Sequence, residues 1–145
     1  METLKPHQEK DGWCGPSSLQ LVARFHGIPT TQSQLAEMMG TTEKDGTGQY
    51  EMFCGAMKLG LHPTMMRDTT VEILRELQSD YHIIVDWMTG TDESEDGHYD
   101  VIKSITKDMV HLQKETMFIG DFNKKWYDVE ANGQRVDRWA MIVKK

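Results

Sequence analysis

A chain of 145 residues has the length of one hydrophobic core, enough to bury roughly two-thirds of the surface its unfolded form exposes, so a single domain over 1–145 is expected. Acidic residues outnumber basic ones 23 to 16 for a net charge of −7, which gives no basic footprint for nucleic acid and suits a neutral or cationic partner. The N-terminus is polar and no apolar run approaches ~18 residues, so neither a signal peptide nor a membrane span is expected.

The first predicted element carries the most chemistry. In Asp11-Gly12-Trp13-Cys14-Gly15-Pro16-Ser17-Ser18-Leu19 a glycine-flanked thiol opens a helix that Pro16 and Ser17 start. Leu19, Val22, Ala23 and His26 follow helical spacing, and Gly27 ends it. A thiol at a helix N-terminus faces unpaired N–H groups and the positive end of the dipole, which lowers its pKa and makes it a nucleophile. The flanking glycines are expected to let a substrate backbone approach. The plain alternative is a buried thiol, because free cysteine is among the most buried residue types. Trp13 is either a wall of a substrate cleft or a packed core side chain.

A second helix is expected over Gln32 to Met39, with Leu35, Met38 and Met39 inward and Gly40 as its stop. Thr41 to Gly48 reads as a polar loop. Tyr50, Phe53, Cys54, Met57 and Leu61 mark a third helix and make Cys54 a core thiol. Asp68-Thr69-Thr70-Val71-Glu72 caps a fourth, with Ile73, Leu74 and Leu77 as its buried stripe. His82–Met88 reads as a strand buried on both sides. His98 to Ile105 and Met109 to Gln113 are the next two strands, joined by Thr106-Lys107-Asp108. Asp121 to Trp126 is a short helix, Asn132-Gly133 a hairpin-type turn, and Trp139–Val143 a last strand. Helices first and strands second is the order of an α+β fold, with the helical half packed on an antiparallel sheet.

In Asp96-Gly97-His98-Tyr99-Asp100-Val101-Ile102 a histidine follows a glycine at the start of a strand. A nucleophilic thiol needs such a base, far in sequence and close in space. The other five histidines, His7, His26, His62, His82 and His111, have no comparable setting and read as surface or partly buried.

These segments resemble the papain-like cysteine peptidases of the C39 type, which trim leader peptides after double-glycine motifs, and their standalone relatives. The residues that carry the resemblance are Gln8, six positions before Cys14, then Cys14-Gly15-Pro16-Ser17-Ser18-Leu19, Lys58-Leu59-Gly60-Leu61 and Gly97-His98-Tyr99. The resemblance implies Cys14 as nucleophile, His98 as general base and Gln8 as donor to the oxyanion. It also implies an aspartate, usually before proline, that orients the imidazole. Here that stretch reads Val110-His111-Leu112-Gln113-Lys114-Glu115-Thr116. An ungapped match puts Lys114, a donor only, at the aspartate position. Gln113 offers an amide oxygen, and Glu115 serves if the strand is shifted or bulged.

Two acidic runs imitate a calcium loop. Each lacks the twelfth-position glutamate, which is Lys103 for the run from Asp92 and Trp139 for the run from Asp128, so no metal or cofactor is expected. The Asp92–Asp96 run is either a solvated loop or a negative rim beside His98 that attracts a basic substrate segment. With Cys14 catalytic and only Cys54 left, no structural disulfide is available, which points to a cytoplasmic setting. The expected activity is peptide or isopeptide hydrolysis of a peptide or protein substrate. A catalytically silent C39-like domain that binds a peptide or leader segment is the alternative, and a thiol protein without proteolysis is a third reading.

Overall fold

A computed structural model describes residues 8–89, 96–130 and 132–145, with Asp96 contributing backbone only. The run from Asp92 to Glu95 and the Asp96 side chain therefore lie outside the described residues. The chain divides into two compact units, Met1–Pro63 and Thr64–Lys145.

The first unit is helical. Helix α1 spans Cys14–Phe25 and buries every residue from Cys14 to Ala23, and it turns out of the helix at His26 and Gly27, whose φ is +70°. The helix begins at Cys14, two residues before the expected start at Pro16. Pro16 fits the third helical position because first-turn N–H groups have no intrahelical acceptor. Helix α2, Gln32–Met39, is held by a reciprocal cap between Thr31 and Gln34 and stops at left-handed Gly40. Its buried residues are Gln32, Leu35, Ala36 and Met39, and Met38 is half-buried rather than inward.

Helix α3, Gln49–Lys58, presents a different face from the expected one. Gln49, Met52, Gly55 and Ala56 are buried, whereas Tyr50 and Met57 are exposed and Phe53 and Cys54 are half-buried. The reason is close approach. A Cβ on Gly55 would stand 2.7 Å from Met39 side-chain atoms and 3.3 Å from Leu19, so the small residues must face inward and the bulky ones outward. Cys54 is thus not a core thiol.

The second unit is built on a sheet. Among its described residues six strands run in the order β1-β8-β2-β3-β4-β5. They are β1 Pro63–Met66, β2 Tyr81–Thr89, β3 Asp96–Ile105, β4 Met109–Leu112, β5 Thr116–Phe118 and β8 Ala140–Lys144. Strands β6 Tyr127–Val129 and β7 Arg135–Asp137 form a separate hairpin around Gly133, at φ +86°. Helix α4, Val71–Leu77, is capped by the Thr70 hydroxyl and buries Val71 and Leu74; Ile73, expected inward, is exposed. Helix α5 covers Ile119–Lys125.

Residues 83 to 88 of β2 are buried without interruption, as a strand covered on both faces requires. One face of the sheet, with Ile83, Val85, Trp87, Ile102 and Leu112, joins Val71 and Leu74 of α4 and Phe122 of α5 in a single core with Trp126. The Trp126 indole donates to the Trp139 carbonyl at 2.9 Å, so its one polar group is buried at no loss of a hydrogen bond.

Candidate active site

Cys14 is the first residue of α1 and is 8% exposed. Its turn carries no side-chain cap; the Trp13 carbonyl accepts from the Ser17 N–H at 2.9 Å and starts the helical ladder. The first N–H groups of α1 therefore point along its axis beside the thiol, where they and the dipole favour negative charge. Both flanking glycines serve internal packing. Gly12 sits at φ +78° with a Cβ position 2.7 Å from the Thr42 and Glu43 carbonyls. A Cβ on Gly15 would lie 2.6 Å from the Thr47 hydroxyl, itself held at 2.6 Å from that of Thr41. Trp13 is buried, with the Lys10 ammonium 5.0 Å above its ring.

Gln8 is drawn to this turn through one carbonyl. Its amide donates to the Lys10 oxygen at 2.8 Å, and the Trp13 N–H donates to the same oxygen at 3.2 Å. Next to it, the Glu9 N–H donates to Gln32, Gln32 donates to Gln20, and Gln20 donates to the Thr30 carbonyl, at 3.0, 3.0 and 3.1 Å. Gln20 and Gln32 are both buried. This relay, which fixes the segment bearing Gln8, went unnoticed in the sequence; its signal was two glutamines at inward positions of apolar helices.

His98 belongs to the second unit. It lies near the start of β3, two residues further along the strand than expected, and pairs with Trp87 on β2. The two rings stand edge to face, centroids 6.1 Å apart at 85°. Gly97 is required by β6, because a side chain there would run into the Asp128 carboxylate. Burial, and after it the Lys114 ammonium, hold the His98 imidazole down at about 4.

Strand β4 ends at Leu112, opposite Ile102, with a register shift between Ile102 and Ser104. Pairing runs one step further, since the Gln113 N–H donates to the Val101 carbonyl at 3.1 Å. Gln113 thus faces Val101, and Lys114 comes beside Asp100, whose carboxylate accepts the Lys114 N–H at 3.1 Å. The Oε1 of Gln113 is buried and accepts no hydrogen bond from a described group. Glu115 turns away into the loop to β5, its carbonyl accepting from Leu112 at 2.8 Å, and its side chain is exposed.

Asp100 was not singled out from the sequence. It is fully buried and also accepts the Val101 N–H at 2.8 Å. Burial pushes its carboxyl up to about 6, against backbone N–H donors of Lys114, Val101 and Gln113 and the Lys114 charge. Among the described residues no group of three or more His, Cys, Asp or Glu could hold a metal ion, and no helix is long and apolar enough to cross a membrane.

Helices followed by an antiparallel sheet, with a cysteine on the first turn of α1 and a histidine near the start of β3, define an α+β fold of the papain-like peptidase type. The model of the Peptidase C39 family matches residues 4–131, and the chain belongs to that family. An uncharacterized protein of Methanothermobacter thermautotrophicus is 31% identical over 105 residues. The match covers 72% of this chain and 66%, just under two thirds, of that relative. The peptidase domain of Streptococcus ComA, a bifunctional ABC transporter involved in a quorum sensing pathway, superimposes with a TM-score of 0.72 at 21% identity, covering 98% of both chains. A double glycine motif protease from an AMS/PCAT transporter, solved in complex with the leader peptide, gives 0.71 at 16% identity, covering 99% of this chain and 91% of that one. At such identities these two structures establish the fold.

Proposed function

We propose that residues 1–145 act as a single C39-like peptidase domain, a cysteine hydrolase of peptide or isopeptide bonds. Cys14 as thiolate attacks the carbonyl carbon, and the first-turn N–H of α1 and the Gln8 amide stabilise the oxyanion. His98, carrying the thiol proton, gives it to the departing amine; it then takes a proton from the water that hydrolyses the thioester. Gln113 is one candidate for orienting the ring, supported by its buried open acceptor, while its place opposite Val101 on the alternating strand counts against it. The substrate is a peptide or protein, with the acidic stretch before His98 favouring a basic segment. Cys14 and Cys54 form no disulfide with each other, which supports a reducing, cytoplasmic setting.

The observation that carries this reading is the placement of Cys14 at the first position of α1 in a C39 family chain. Incubation with a peptide library, read by mass spectrometry, should yield fragments that vanish with Cys14→Ser. A second reading, a domain that binds a leader-type peptide without cutting it, draws on Lys114, whose charge works against protonation of His98. Alkylation of Cys14 with no cleavage of any library peptide would favour that second reading.

A further inference from the structure

The loop from Thr41 to Gly48 takes no part in the chemistry above, yet it is built against the nucleophile turn. It closes on itself at two levels. Thr42 and Gly46 exchange backbone hydrogen bonds at 3.2 and 2.9 Å, and outside them the Thr41 and Thr47 hydroxyls meet at 2.6 Å. The Asp45 N–H donates to the Thr42 hydroxyl at 2.9 Å, and the Thr41 N–H ties the loop to the Ala36 carbonyl of α2 at 2.9 Å. These bonds leave the loop little freedom. It meets the chain on both sides of Cys14. The Thr42 and Glu43 carbonyls stand where a Gly12 side chain would begin, and the Thr47 hydroxyl and Cβ stand 2.6 and 2.9 Å from where a Gly15 Cβ would lie. Between the two contacts lie the Trp13–Cys14 and Cys14–Gly15 peptide groups, which carry the first N–H groups of α1.

Resting on the peptidase reading, we infer that this loop is a clamp on the N–H groups that meet the oxyanion: Thr47 is a positioning residue that acts through Gly15, and Thr41 fixes Thr47. Those N–H groups must point at an oxygen that becomes charged only during the reaction, and a misplacement of about 1 Å costs on the order of 100-fold in rate. Glycine has the widest conformational range of any residue. At positions 12 and 15 its lack of a side chain lets the loop come in, and the loop returns the restraint that glycine lacks. Thr47 suits the task. It is buried, β-branched and therefore stiff at χ1, and its bond to Thr41 selects among the rotamers left to it.

The test removes one hydroxyl. Thr47→Val keeps the shape of the side chain but cannot bond Thr41. On the best library peptide its kcat should fall about tenfold with KM unchanged, because the oxyanion contact is made only in the transition state. Thr47→Ser, which keeps the hydroxyl, should recover at least about half of the native kcat. Thr70→Ala removes the side-chain cap of α4 in the other unit, so it shows what lost stability alone does, and should leave kcat as it is. A native kcat in Thr47→Val overturns the inference, as does an equal fall in Thr47→Ser or Thr70→Ala. Should Thr47→Val not fold, Thr41→Val breaks the same bond from its other end and is judged by the same outcomes. Alkylation of Cys14 by iodoacetamide, located by mass spectrometry, keeps the peptidase reading separate. A loosened first turn should move the pH midpoint of Cys14 alkylation upward in Thr47→Val, whether or not any peptide is cut. A native protein that cuts no peptide sinks the peptidase reading alone, and an unmoved midpoint sinks the clamp.

Discussion

The turn around Cys14 and the corner around His98 are held by different kinds of contact. At Cys14 the determinants are local and steric: two glycines pressed on neighbouring backbone and side chains, a helix start, and a carbonyl shared by Gln8 and Trp13. At His98 they are distant and electrostatic. Strand register brings Trp87 and Lys114 to the strand that carries His98 and Asp100 from two other stretches of chain, and burial pushes the His98 imidazole down and the Asp100 carboxyl up. A nucleophile can be prepared by the geometry of one turn. The basicity of the imidazole depends on how strands pair, and a one-residue slip would carry Lys114 to the other face.

The sharpest break of this comparison lies between the two thiols. Cys14→Ala should lower peptide cleavage by at least about a thousandfold, while Cys54→Ala, on a half-buried helix face, should leave it nearly unchanged. Initial rates on the best library peptide measure both. Equal losses would mean that the helix start does not single out Cys14.

The electrostatic corner should show itself in stability against pH. Asp100 holds its proton more tightly when folded, about 6 against 3.8, so its contribution is full below 3.8 and is lost as pH rises through 6. His98 holds its proton less tightly, about 4 against 6.5, so its contribution is full above 6.5 and is lost as pH falls toward 4. Between about pH 4 and 6 the two oppose. Relative to the native chain, Asp100→Asn should lose stability on acidification from pH 7 to about 4.5, and His98→Gln should gain it, each by on the order of 2 kcal/mol. Urea midpoints at the two pH values decide. Parallel curves for all three proteins would mean that neither group is as perturbed as its burial implies.

A smaller effect is expected from Lys114→Asp, which removes the cation and places a carboxylate at the position the family resemblance marks. The His98 pKa should rise, and cleavage at neutral pH should increase by roughly tenfold. A fall in His98 basicity in this variant would mean that the Lys114 side chain is not the charge that acts on the ring.

Much of this was legible in the sequence because it is local. The stop of α1, both ends of α2, strand β2, and the settings of Cys14 and His98 follow from caps, periodicity and glycine placement. The inward face of α3 was not legible, since it is chosen by how closely Gly55 can meet Met39 and Leu19. Strands β1, β5, β6 and β7 are three or four residues long and carry too short a pattern to stand out. Asp100 reads as one polar residue in a strand until the shift between Ile102 and Ser104 brings Lys114 beside it.

The edge-to-face pair of Trp87 and His98 gives the corner an optical signature. Protonated imidazole quenches indole emission, and neutral imidazole at the same distance does so far less. Trp87 is 3% exposed, so solvent quenchers reach it poorly and its brightness is governed from within. In a chain whose other tryptophans are replaced by phenylalanine, steady-state fluorescence becomes a meter of the charge on His98.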